Sequence, residues 1–313
     1  MEPASELTPE LRAFVEFVAK KGRELYRDLP WRRTYDPYAI WISEVMLQQT
    51  QVSRVDGRWQ RWLERFPTVD ALAAAAPSDV LEEWQGLGYN RRALSVHRAA
   101  QAISEAGGIF PQDPKELVKL PGIGPATAAG IRAFAFNLHG VYLETNVRTV
   151  FLHELYPQAE GVPDSELVPL VELTCPASVT DAVNADSAAN VANADSTAND
   201  ATAALTPRSW YYALLDYGAY LKKTIPNPSR RSKSHVKQSR FEGSHRQKRA
   251  ELLRVLLAHK DEGGAVFETL HQELCQIEVN AGRETLDEQV TLGLLEELAK
   301  EGFCQKNNEY WLP

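Results

Sequence analysis

The sequence predicts a mainly α chain that closes with a small module of three helices and a β-hairpin. Three observations lead there. Apolar residues recur at helical spacing from Pro9 to Lys223, and strand-like alternation is almost absent before the C-terminus. Helix stop and start signals punctuate that pattern, as at Gly107-Gly108 and at Asp113-Pro114, an N-cap followed by a first-turn proline. Beyond Arg246, three amphipathic stretches precede two short β-like runs.

Taken in order, helices are expected over Pro9–Asp28, Pro37–Phe66 (broken near Val55–Trp59), Thr68–Ala75, Ser78–Gln85, Asn90–Ala106, Asp113–Leu120, Ala126–Phe136, Thr145–Leu155 and Ser209–Lys223. Residues 176–206 read differently. They are built mainly from Ala, Asn, Asp, Ser and Thr, with no aromatic residue, Lys or Arg. Such a stretch has little apolar side chain to offset its ordering entropy, so a disordered insertion in a surface loop is expected. The first domain is expected over 1–245. In 246–313, helices Arg246–His259, Ala265–Leu274 and Leu286–Lys300 and strands Phe303–Gln305 and Tyr310–Leu312, joined by a turn at Lys306-Asn307-Asn308, predict a winged-helix-like module. Its partner could be DNA or protein.

The 313 residues, 44% of them hydrophobic, suffice for one large or two modest cores. No apolar run is long enough to span a bilayer, and the N-terminus MEPASELTPE has no signal-peptide character. No membrane association and a cytoplasmic location are expected, with nucleoid association in a bacterium. Cys175, Cys275 and Cys304 are far apart, which predicts neither a disulfide framework nor a zinc site. The net charge of −8 argues at first against a nucleic-acid partner. Residues 219–249 nevertheless hold ten Lys and Arg against one acid, Glu242, a strip of +9 that leaves −17 for the rest. Arg230, Arg231 and Lys233 within it are candidate phosphate contacts, although a solvated basic linker would read the same way.

Leu120-Pro121-Gly122-Ile123-Gly124-Pro125-Ala126-Thr127 joins two predicted helices. Gly122 and Gly124 permit a tight turn, and the turn opens onto a helix N-terminus where first-turn amides and the dipole favour a phosphate. Thr127 lies in that first turn. An ordinary packing corner would look similar. Glu44 sits in YAIWISEVMLQ, an otherwise strongly apolar stretch. Burial there would raise its pKa and suit a general acid, whereas a solvent-stripe Glu is the bland alternative. Glu144, in LETNV, is a second acid at a helix start. Gln48 and Gln49 end the Glu44 helix as polar groups able to hydrogen-bond base edges or simply water.

The stretches LPWRRTYDPYAIWISEVMLQQTQV, RFPTVDALAAAAPSDVLEEWQGLGY, LPGIGPATAAGI and LETNVRTV occur in an order that resembles MutY-type adenine glycosylases of the helix-hairpin-helix superfamily. The resemblance is dense over about 28–155 and resumes at 210–219. It implies a two-lobed helix-hairpin-helix glycosylase fold and a monomer acting on double-stranded DNA with a mismatch or lesion. The reaction implied is hydrolysis of the N-glycosidic bond of a flipped adenine opposite guanine or 8-oxoguanine. On the same basis Glu44 protonates the base and Glu144, where the family usually has Asp, supports the cationic sugar with Asn146 beside it. Gln49, next to Gln48, is the wedge, Tyr89 intercalates, and Trp31, Arg32 and Tyr212 line the base pocket. Lyase-type relatives carry a Schiff-base Lys where this chain has Ala126, so simple hydrolysis is expected. Relatives also carry four cluster-binding cysteines after a Gly-Ala-x-x motif. Here Gly218-Ala219-Tyr220-Leu221 is followed by Lys222, so no iron–sulfur cluster and no other cofactor is expected. A glycosylase for another base and a non-catalytic DNA-structure binder are the competing readings.

Overall fold

The computed structural model describes residues 7–178, 204–235 and 240–313. Most of the predicted insertion, 179–203, lies outside the described residues. The chain divides into two compact units, Met1–Val45 with Phe110–Lys237 and Met46–Ile109 with Gln238–Pro313. The C-terminal module therefore shares a unit with residues 46–109. No helix among the described residues is long and apolar enough to cross a membrane.

The first unit holds α1 (Pro9–Glu24), a 3-10 turn at Pro30–Arg33, most of α2 (Pro37–Leu47), α8 (Pro114–Leu117), α9 (Pro125–Phe136), α10 (Thr145–Glu154), α11 (Asp164–Thr174) and α12 (Pro207–Thr224). A second 3-10 turn spans Pro228–Arg231. Helix α12 is its centre and packs on α1, α9 and α10, burying Trp210, Tyr211, Leu214 and Tyr217. Its start is set by Thr206, whose side chain accepts from the Ser209 amide while the Ser209 hydroxyl accepts from the Thr206 N–H. Gly218 makes the crossing with α10 possible, since a Cβ there would lie 2.3 Å from the Asn146 carbonyl oxygen. Asp216 is fully buried and is held bidentately by Arg32 at 2.7 and 2.8 Å, with Arg27 at 2.5 Å. A buried charge of this kind persists only when paired.

The second unit holds α3 (Val52–Val55), α4 (Arg58–Arg65), α5 (Val69–Ala74), α6 (Pro77–Trp84) and α7 (Arg91–Glu105), with α13 (His245–Ala258), α14 (Phe267–Asn280) and α15 (Glu288–Glu301). Three antiparallel strands, β1 (Ala265–Val266), β2 (Gln305–Asn307) and β3 (Tyr310–Leu312), lie in the order β1-β3-β2. The order helix, strand, helix, helix, strand, strand is winged-helix-like, as expected. Two expectations need correction. Residues 265–266 form a strand before α14, and the hairpin pairs 305–307 with 310–312, because Phe303 and Cys304 are buried ahead of it. Ion pairs tie the module to the rest of its unit: Glu301 binds Arg91 and Arg249, and Lys260 binds Asp79 and Glu82.

The expected helix Pro37–Phe66 is also three helices. Helix α2 stops at Leu47, and Gln49 then adopts φ 55°. The Arg92 guanidinium imposes this turn, donating to the Gln48 carbonyl at 2.6 Å and to the Leu87 and Gly88 carbonyls at 3.3 and 3.0 Å.

Candidate active site

Helix α2 carries Glu44 between residues committed to the core. Ile40, Trp41 and Ile42 are buried, and Ser43 turns its hydroxyl back to the Ile40 carbonyl at 2.7 Å. Glu44 itself is half-buried. Its carboxyl receives the Tyr142 hydroxyl on Oε2 at 2.9 Å. Space for it is reserved by Gly130 on α9, where a Cβ would lie 2.5 Å from Oε2 and 2.9 Å from Tyr142 Cε2. Burial pushes the Glu44 pKa up to about 7, helped by like charge from Glu144 and opposed by Tyr142 and Arg32.

Glu144 is the N-cap of α10. Its Oε1 accepts from the Asn146 amide at 2.6 Å and the Val147 amide at 3.3 Å, so the longer side chain folds back and still caps. Burial raises its pKa too, but the amides of Asn146, Val147 and Thr145 and the Lys222 ammonium all favour the carboxylate. Among the described residues the Glu44 carboxyl accepts one hydrogen bond, from Tyr142. Burial thus pushes both acids up, Glu44 to about 7, while the α10 amides and Lys222 oppose the rise at Glu144. Asn146 accepts from Lys222 Nζ on Oδ1 at 3.0 Å.

Trp31 and Arg32 are buried in the Pro30–Arg33 turn. Both terminal nitrogens of Arg32 are taken by Asp216, and Nε has no hydrogen-bond partner among the described residues. The Arg32 guanidinium lies 4.3 Å from the centre of the Tyr212 ring, which also stacks on Phe134 at 4.6 Å.

The hairpin runs from α8 to α9 as expected. Asp113 caps α8 through the Lys115 amide at 2.8 Å. Gly122 takes φ 76°, the left-handed region that favours glycine. Gly124 has ordinary φ −85° and open space where a Cβ would be. A Cβ there would meet nothing within 4 Å, and its absence leaves the α9 N-terminus open to approach. Thr127 is buried in the first turn of α9.

In the second unit Gln49 and Tyr89 are exposed, and both are non-glycine residues at positive φ, 55° and 51°. Such backbone costs of order 1–3 kcal/mol and clusters at functional sites. Gln48, Gln49 and Tyr89 line a cavity of about 840 Å³ together with Phe241 and Arg246 of the C-terminal segment. The Arg246 guanidinium lies 5.7 Å from the Tyr89 ring centre and 5.3 Å from that of Phe241.

The basic strip is not uniform. Arg230 and Lys233 are exposed. Arg231 must be removed from the candidate phosphate contacts. Its guanidinium is inserted among the carbonyls of Leu152, Tyr156 and Ala159, where it closes the C-terminal end of α10. The segment after Gly218-Ala219 does not fit a four-cysteine cluster either. Helix α12 continues to Thr224, the Pro228–Arg231 turn docks through Arg231, and the whole chain has three cysteines. Residues that sequence reasoning missed are Tyr142, Gly130, Asp216, Lys222 and Arg92. Gly130 lies within LPGIGPATAAGI without having been singled out, and each of the five acts through a contact distant in sequence.

Four similarities to known proteins follow from the sequence and the fold. A model of the family described as "HhH-GPD superfamily base excision DNA repair protein" matches residues 42–206, more than half of the chain. The adenine DNA glycosylase of Mycolicibacterium smegmatis is 42% identical over 156 residues, 49% of this chain and 53% of that protein. The adenine DNA glycosylase of Buchnera aphidicola subsp. Baizongia pistaciae is 41% identical over 127 residues, 40% of this chain and 36% of that protein. The chain thus spans about half or less of the length of these relatives. Among solved structures, a thermostable thymine-DNA glycosylase matches with a TM-score of 0.55 at 20% identity, over 70% of this chain and 90% of that one, a likeness of fold. The matched family segment contains Glu44, the hairpin and Glu144, and the chain belongs to the HhH-GPD superfamily of base excision DNA repair proteins.

Proposed function

We propose that the chain is a monofunctional DNA glycosylase that hydrolyses the N-glycosidic bond of a flipped, mispaired adenine opposite guanine or 8-oxoguanine. The observation that carries this reading is the Glu44 carboxyl, held by the Tyr142 hydroxyl beside Gly130 and pushed up to about 7 by burial, with a second acid, Glu144, capping α10. The names of the relatives at about 40% identity favour adenine.

In this reading Glu44 gives its proton to the base as the C–N bond breaks. The sugar becomes oxocarbenium-like, and the Glu144 carboxylate, with Asn146 beside it, balances that charge. Water then adds to the sugar carbon. Ala126 supplies no amine at the position where a Schiff base would form, so an intact abasic site is the product. The hairpin amides hold a phosphate, while Gln48, Gln49 and Tyr89 fill the gap left by the extruded base. No cofactor takes part, and the protein acts as a monomer in this reading.

The test is a panel of duplexes, each with one mismatch or lesion, scored for alkali-labile abasic sites. Adenine opposite guanine or 8-oxoguanine is the expected substrate, and Glu44→Gln is expected to abolish turnover while DNA affinity remains. Cleavage confined to another base, turnover surviving in E44Q, or robust borohydride trapping of a covalent adduct would each overturn the corresponding part.

A further inference from the structure

Tyr142 belongs to no motif, yet its hydroxyl donates to the Glu44 carboxyl, at 2.9 Å on Oε2. The phenol is held from several sides. Its ring meets Phe134 and Tyr211 edge-on at 5.2 and 5.3 Å between centres. Its backbone N–H donates to the Tyr211 hydroxyl at 3.1 Å, and that hydroxyl donates onward to the Gly140 carbonyl. Gly130 keeps clear the space that the carboxyl and the phenol share. We propose that Tyr142 is a positioning residue, which fixes the orientation of the Glu44 carboxyl and stabilises the carboxylate left when Glu44 has given up its proton. The proposal rests on the reading of Glu44 as proton donor.

The chemistry follows from the direction of this bond. Burial and the neighbouring carboxyls hold the Tyr142 hydroxyl pKa well above its ordinary value, so the phenol stays a donor throughout the working range. A fixed donor stabilises an ionised carboxyl more than a neutral one. The other groups that bear electrostatically on Glu44 are Glu144 at the start of α10, which disfavours its ionisation, and Arg32, which favours it. Arg32 is already bound to Asp216. Tyr142 is therefore the group placed to receive the new charge directly. Without it Glu44 would hold its proton more tightly and be a weaker acid.

The experiment uses the full chain. Single-turnover rates on the best duplex of the panel are measured against pH for wild type, Tyr142→Phe, Gly130→Ala and the double variant. Tyr142→Phe keeps the ring and is expected to lower the plateau rate about ten- to a hundredfold, the range for a hydrogen bond to a charged group. The alkaline limb is expected to move up by about one pH unit, with DNA affinity unchanged. Gly130→Ala pushes the carboxyl off the phenol, so the double variant should lose little more than Tyr142→Phe alone. Tyr211→Phe loosens the same backbone without touching Glu44 and should leave the limb in place. Carboxyl ¹³C NMR, with E44Q assigning the resonance, follows Glu44 without any turnover and should show it titrating at higher pH in Tyr142→Phe. An unmoved Glu44 titration in Tyr142→Phe, or a limb that moves equally in Tyr211→Phe, overturns the proposal. Turnover surviving in E44Q overturns the donor reading instead, and the NMR titration still decides the Tyr142 contact.

Discussion

Lys222 shows how one side chain can set the charge of another. It follows Gly218 by one helical turn on α12, where that glycine lets α12 close on Asn146. Its ammonium holds Asn146 Oδ1 and favours the ionised form of Glu144. Lys222→Met should therefore raise the pKa of Glu144. In the proposed mechanism activity needs Glu144 ionised, so it is gained as pH rises through that pKa, and the acidic limb of the rate profile should move to higher pH. The alkaline limb, which reports the loss of the Glu44 proton, should stay. Lys222 is exposed, so solvent screening keeps the effect to about a few-fold on the acidic limb, with little change on the plateau. Lys222→Arg should restore the limb. An acidic limb unchanged in Lys222→Met would show that Glu144 is held ionised by the α10 amides alone.

Among the elements, α10 is fixed at both ends by side chains. Glu144 caps its first turn and Arg231 gathers carbonyls at its last. Arg231→Met deletes the donors and leaves those carbonyls to water or to nothing. A loss of about 1–3 kcal/mol is expected, seen as a melting midpoint lower by several degrees. Sequence reasoning could not separate Arg231 from Arg230, since charge counting weighs neighbours equally and only the fold aims one of them at α10. The same limit applied to elements. The hairpin was legible because its start signal is local, as with Asp113-Pro114, and α12 was legible from its apolar spacing, although it starts at Pro207 and not at the expected Ser209. The stop at Leu47 was not, because SEVMLQQTQV contains neither Gly nor Pro and its turn is imposed by Arg92 from forty-odd residues away. Helix α11 escaped because Pro169 interrupts its pattern, and β1 because two residues carry no period. Both carboxyls of the site were legible by type and context. Tyr142 and Gly130 were not, since packing alone brings them to Glu44.

For the molecule as a whole, a net charge of −8 has to coexist with a polyanionic partner in the proposed function. The third helix of the C-terminal module, α15, gives no help. It carries Glu288, Glu296, Glu297 and Glu301 against Lys300, and its Glu297 and Glu301 hold Arg249. Phosphate contact therefore has to come from the hairpin amides and from basic side chains not already committed within the fold. Arg249 and Arg231 are so committed, whereas Arg230 and Lys233 are exposed. The salt dependence of DNA binding measures this division, because each neutralised phosphate adds about 0.9 to the slope of log K against log salt. Arg230→Glu with Lys233→Glu is expected to lower that slope by about 2 in magnitude and to weaken binding to matched and mismatched duplexes alike. Arg231→Met should leave the slope unchanged while lowering the melting midpoint. If the slope survives the double charge reversal, the strip is a solvated linker, and the acidic chain meets DNA through backbone amides and groups elsewhere.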